Sequence, residues 1–158
     1  QYISMNNAIG LSSNCVNRAG QKAGVAHGRA GDGATSVVIQ RNPRKVRLAT
    51  WNVSSMSGKA LEVTGVLKSR KVDVCCVQEV KWKGEGTKIL RTASGMYKFF
   101  WKGGEKAEAG VGILVSEEWV ESVVQVSRVS DRCMGIKMVV GTALVTVVSV
   151  YAPQSGTV

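Results

Sequence analysis

Val72-Asp73-Val74-Cys75-Cys76-Val77-Gln78-Glu79 is the stretch on which the fold turns. Val72 to Gln78 is a short apolar run rich in β-branched residues, which predicts a strand buried on both faces. Upstream, Ser57 to Arg70 sets Ala60, Val63, Val66 and Leu67 at helical spacing. Ser57 is the candidate N-cap, and Lys68-Ser69-Arg70-Lys71 gives the basic end that suits a helix C-terminus. Before that, Lys45–Val53 alternates Val46, Leu48, Thr50 and Asn52 on one face, which reads as a strand. Strand, helix and strand in that order predict a crossover unit.

Working outward, the remainder is strand-like. Tyr97–Trp101, Val111–Val115, Val123–Val129, Gly135–Val140 and Ala143–Tyr151 are candidate strands between glycine-rich or charged turns. Gly141-Thr142 between two apolar runs is a two-residue hairpin signal, with glycine where a positive φ is needed. Ser116-Glu117-Glu118-Trp119 reads as a turn or a single helical turn. One helix against about seven strands predicts an α+β fold, mainly β with a helical outer layer. No internal repeat interrupts this pattern.

A composition shift near Pro43 divides the 158 residues. Residues 1–44 carry few large apolar side chains and crowd Gly20, Gly24, Gly28, Gly31 and Gly33 together, predicting a flexible basic leader. A phosphate-cradling loop is excluded there, because no G-x-x-x-x-G-K-[ST] occurs. Residues 45–158 form the globular part. Hydrophobic residues make up 44% of the chain, enough to build a core. Lys and Arg number 21 against 11 Asp and Glu, a net charge of +10. That balance favours a polyanionic partner, nucleic acid first, and also suits a basic domain that is merely soluble.

The cysteines, Cys15, Cys75, Cys76 and Cys133, form no C-x-x-C pair, and the single histidine, His27, cannot complete a Cys/His zinc site. Cys75 and Cys76, adjacent on a strand, are expected to point to opposite faces as reduced core residues of an intracellular protein, nuclear or cytoplasmic. No apolar run reaches the length of a membrane span, and no signal peptide is visible, so neither membrane insertion nor secretion is expected.

Asn52 and Glu79 stand where apolar strands end, the edge at which α/β folds gather ligand groups. A carboxylate at Glu79 is suited to hold a hard cation such as Mg²⁺ through oxygen. The Asn52 amide suits a phosphate oxygen or a neighbouring carboxylate. Read singly, each is more readily a capped strand end than a site.

Together with their neighbours these residues resemble a known family. Leu48-Ala49-Thr50-Trp51-Asn52-Val53, Val77-Gln78-Glu79-Val80-Lys81 and Tyr151-Ala152-Pro153-Gln154 are similar, in order and spacing, to the first motifs of the endonuclease/exonuclease/phosphatase superfamily. The helix between the first two motifs and the strand at Ala109-Gly110-Val111-Gly112-Ile113 also correspond. The wording VQEVKWKG, VSDR and VYAPQ resembles RTE/BovB-type non-LTR retrotransposon endonucleases and host-gene relatives of the craniofacial development protein 2 type. The resemblance covers about Arg44 to Thr157.

The resemblance implies a DNase I-like four-layer α/β/β/α sandwich, of which this chain would be the truncated N-terminal half, behind its flexible leader. It implies Mg²⁺-dependent (or Mn²⁺-dependent) cleavage of phosphodiester bonds in DNA. Glu79 would be the metal ligand and Gln78 its neighbour. Asn52 would support the network near the scissile phosphate, and Tyr151 would hydrogen-bond the phosphate or the attacking group. Lys81, with Asn52, would lie near the DNA backbone; Val80 stands where the family often has Thr. The family also uses an Asp-x-Asn motif and a terminal Asp-His pair, and neither occurs before Val158. Two expectations result: a nuclease domain inactive as this chain stands, or a domesticated remnant that binds nucleic acid or a protein partner without catalysis. Metal-dependent nicking favours the first, salt-sensitive binding without nicking the second.

Overall fold

A computed structural model describes residues 12–13 and 45–153. The leader reading of residues 1–44 therefore lies outside the described residues, except for a two-residue strand, β1 (Ser12–Ser13). The remaining strands are β2 (Leu48–Asn52), β3 (Val74–Gln78), β4 (Glu85–Thr92), β5 (Gly95–Lys102), β6 (Val111–Ser116), β7 (Val123–Ser130), β8 (Cys133–Val140) and β9 (Ala143–Val150). One α-helix, α1 (Ala60–Ser69), joins β2 to β3, and a 3₁₀ turn at Val120–Ser122 precedes β7.

The expected crossover is present. β2 and β3 pair in parallel, with Leu48 opposite Val74 and Asn52 opposite Gln78. They belong to a five-stranded sheet ordered β2-β3-β6-β5-β4, and a second sheet runs β1-β9-β8-β7. All five residues of β3 and all six of β6 are buried. Successive side chains on a strand alternate faces, so β3 feeds two separate cores. Cys75 and Val77 join Phe99 and Leu114 under Val63 and Leu67 of α1. Val74 and Cys76 join Ile113 and Val115 against Met134, Ile136, Met138 and Val147 of the other sheet. Both thiols are free and buried, on opposite faces as the sequence predicts; burial pushes the Cys76 thiol up to about 12 and that of Cys75 higher still.

Polar ties between the sheets fix their relative position. Ser149 Oγ on β9 donates to the Val77 carbonyl on β3 at 3.1 Å. Arg128 on β7 donates through Nε to the Trp101 carbonyl at 3.1 Å and through Nη2 to the Gly86 carbonyl at 2.9 Å. The Ser149 tie brings two strand ends together, because Tyr151 and Glu79 each lie two residues beyond the groups it joins.

Two local expectations are corrected and a third is met. α1 begins at Ala60 with Lys59 as its N-cap and no side-chain cap bond; Ser57 lies outside it, its N–H donating to Ser55 Oγ at 3.1 Å. β4 is a strand that periodicity does not reveal, because it is a sheet edge on which Leu90 alone is buried. Gly86 on it is packed flat beneath Trp101, where an added Cβ would lie 2.6 Å from the ring. The hairpin at Gly141-Thr142 forms as expected: Val140 pairs with Ala143, and Gly141 takes φ +62° at the first central position, as a II′ turn requires. Among the described residues, no helix is long and apolar enough to cross a membrane.

Candidate active site

Parallel pairing ends β2 and β3 side by side, so Asn52 and Glu79 emerge at the same edge. β9, held to β3 by Ser149, ends beside them and delivers Tyr151. The side chains then converge on one carboxylate. Asn52 Nδ2 donates to Glu79 Oε1 at 2.8 Å, and Tyr151 Oη donates to the same oxygen at 3.0 Å. Asn52 is itself oriented, since its Oδ1 accepts the Ser54 N–H at 3.0 Å. Lys81 Nζ stands 3.6 Å from the other oxygen, Oε2. Gln78 lies beneath, 2% exposed, donating to Thr50 Oγ1 at 3.0 Å, so it braces β3 against β2 rather than joining the cluster on Glu79.

The backbone here is held in an uncommon conformation. Ser54, Glu79 and Lys81 take φ of +59°, +55° and +54°, the left-handed region that non-glycine residues seldom adopt. Such residues cost energy and persist where surrounding bonds over-determine them. Those bonds are present: Val53 N–H to the Gln78 carbonyl, Val80 N–H to Gly110, Lys81 N–H to Ala109, and Gly110 N–H to Asp131. The left-handed turn at Glu79 swings its carboxylate out of the strand direction toward Asn52 and Tyr151.

Electrostatics follow from these contacts. The Asn52 hydrogen bond, aided by Tyr151 and Lys81 and opposed by partial burial, holds the Glu79 carboxyl below its ordinary range, so it is an anion near neutrality. Burial and then the bond to Glu79 raise the Tyr151 hydroxyl, which keeps it a proton donor.

Arg132, to which the sequence reading gave no role, belongs to this cluster. Its guanidinium lies 5.1 Å from the centre of the Tyr151 ring, a cation–π distance. Its Nη1 is buried without a hydrogen-bond partner in the protein. The Arg132 carbonyl accepts the Tyr151 N–H at 2.9 Å, so the β7–β8 turn and the tyrosine are fixed together. In the sequence it occurs only within the wording Val129-Ser130-Asp131-Arg132 that carries the family resemblance, with no role attached to it.

A hard cation takes oxygen ligands. Glu79 offers one anchored carboxylate whose Oε2 is not committed to a neutral donor. Among the described residues, no group of three or more His, Cys, Asp or Glu stands together. Glu79 could thus share a hard cation with water through one carboxylate, and the described residues form no closed protein cage.

Residues 49–155 match the endonuclease/exonuclease/phosphatase family, and the chain belongs to it. Within that class it is similar to craniofacial development protein 2 of Bos taurus, 24% identical over 136 residues, 81% of this chain and 22% of the relative. The chain therefore spans about a fifth of that relative's length.

Proposed function

We propose that this domain serves divalent-metal-dependent hydrolysis of phosphodiester bonds in DNA, with Mg²⁺ or Mn²⁺ held at Glu79. The observation that carries the reading is the convergence of Asn52 and Tyr151 on Glu79 Oε1, which leaves Oε2 of a partly exposed, ionised carboxylate free of neutral donors at the strand ends. In the reaction, water adds to phosphorus and the P–O3′ bond breaks, leaving a 3′-hydroxyl and a 5′-phosphate. The bound ion would neutralise phosphate charge and ease ionisation of water. Asn52 and Tyr151 together fix the carboxylate's rotation through Oε1, and a phosphate would take the Tyr151 hydroxyl proton only in exchange for that bond. Arg132 places positive charge behind Tyr151, and Lys81 lies where the DNA backbone passes. We further infer the four-layer α/β/β/α arrangement, with the described helix and two sheets as part of it.

On this reading one carboxylate among the described groups is too few for the 158-residue chain to cleave by itself. Supercoiled plasmid in Mg²⁺ should remain intact with this chain. A longer chain carrying the family's Asp-x-Asn and Asp-His motifs should nick it, lose activity in a chelator, and fall by orders of magnitude on Glu79→Gln. Nicking by the short chain, or full activity of the longer Glu79→Gln chain, would overturn the reading. A second reading, a non-catalytic remnant binding nucleic acid, is favoured by the same single carboxylate together with the charge of +10.

A further inference from the structure

We propose that Lys81 is a resident counter-cation of Glu79, occupying the approach to Oε2 and displaced when a divalent ion binds there. The inference rests on the reading of Glu79 as the cation ligand and adds to it a coupling between ion loading and lysine release. Oε1 already accepts two hydrogen bonds, from Asn52 and Tyr151, so Oε2 is the oxygen left for a cation. Lys81 Nζ lies 3.6 Å from that oxygen. This exceeds the about 2.7–2.9 Å of a charge-assisted hydrogen bond, so the ammonium is near without being locked. Its position is nonetheless set by the fold: Lys81 has φ +54°, and its N–H is tied to the Ala109 carbonyl at 2.8 Å. The side chain is 39% exposed, with room to swing outward, whereas that of Glu79 is 15% exposed and stays. A divalent ion at Oε2 and an ammonium beside it repel, so binding of the one requires departure of the other.

The test is a Mn²⁺ titration of the full 158-residue chain, with free ion read by electron paramagnetic resonance. Lys81→Met keeps most of the stem and removes the charge, and should bind Mn²⁺ about tenfold more tightly than the parent chain. Lys81→Arg, which keeps the charge, and Lys83→Met, which removes an exposed charge two residues away, should each stay within about threefold. The gain should vanish in the Lys81→Met, Glu79→Gln double variant. Equal or weaker binding by Lys81→Met overturns the inference, and so does an equal gain in Lys83→Met, which would reduce the effect to net charge. Parent-like binding in Glu79→Gln alone, or no binding by any variant, instead overturns Glu79 as the ligand and the inference with it.

Discussion

Glu79 concentrates several of the forces that shape this site: a left-handed backbone at φ +55°, two neutral donors on one oxygen and an ammonium near the other. Its folded pKa is lowered, so over the window below the ordinary glutamate value of about 4.3 the unfolded chain binds more protons than the folded one. Stability from this group is therefore fully present above that value and is lost as pH falls through the lower folded pKa. Urea midpoints of the parent chain should drop more steeply than those of Glu79→Gln from about pH 5 downward; parallel curves would show that the carboxylate is not held as described. Asn52, Glu79 and Tyr151 were legible because each sits in a motif at a predicted strand end, and Lys81 only through the motif it shares with Glu79. Arg132 was not, since nothing in sequence sets it apart from the other basic residues. Its role comes from the β7–β8 turn lying over Tyr151, a tertiary fact.

At the scale of elements, what sequence could reveal depended on burial. β3 and β6 are continuous apolar runs because both their faces are covered, and the paired cysteines divide between two cores for the same reason. β4 escaped because an edge strand needs hydrogen bonds from one neighbour and little apolar surface, so no period is imposed on it. The ends of α1 shifted because Ser57 bonds within the preceding turn. Two glycines separate these effects. Gly112 sits on β6, where an added Cβ would lie 2.4 Å from the Phe99 ring and 3.0 Å from the Phe100 carbonyl. Gly112→Ala should destabilise by about 1–3 kcal/mol, the cost of overpacking a filled core. Gly65 on α1 has nothing within 4 Å of the same position. Gly65→Ala should stabilise by about 0.5–1 kcal/mol through helix propensity. Equal changes at both sites, measured by chemical denaturation, would mean that the packing around Phe99 is looser than described.

For the whole molecule, the decisive quantity is the excess of 21 basic over 11 acidic residues, since it separates binding from cleavage. Neutralising phosphates releases counterions, so the logarithm of affinity falls linearly with the logarithm of salt, by about 0.9 per phosphate contacted on duplex DNA. Cleavage needs the anchored carboxylate and further groups that position water; binding needs only the distributed positive charge. The 158-residue chain should therefore bind a duplex at low salt without sequence preference and release it as salt rises, with a slope of about −3 or steeper. The same preparation should leave plasmid intact in Mg²⁺. A flat salt dependence would remove the electrostatic basis for a nucleic-acid partner and would count against both readings of the domain. A steep slope in this chain, together with nicking only when the family's further motifs are restored, would show that these residues supply DNA affinity and one metal-facing carboxylate. A steep slope with no nicking even in the longer chain would leave the binding remnant as the standing account.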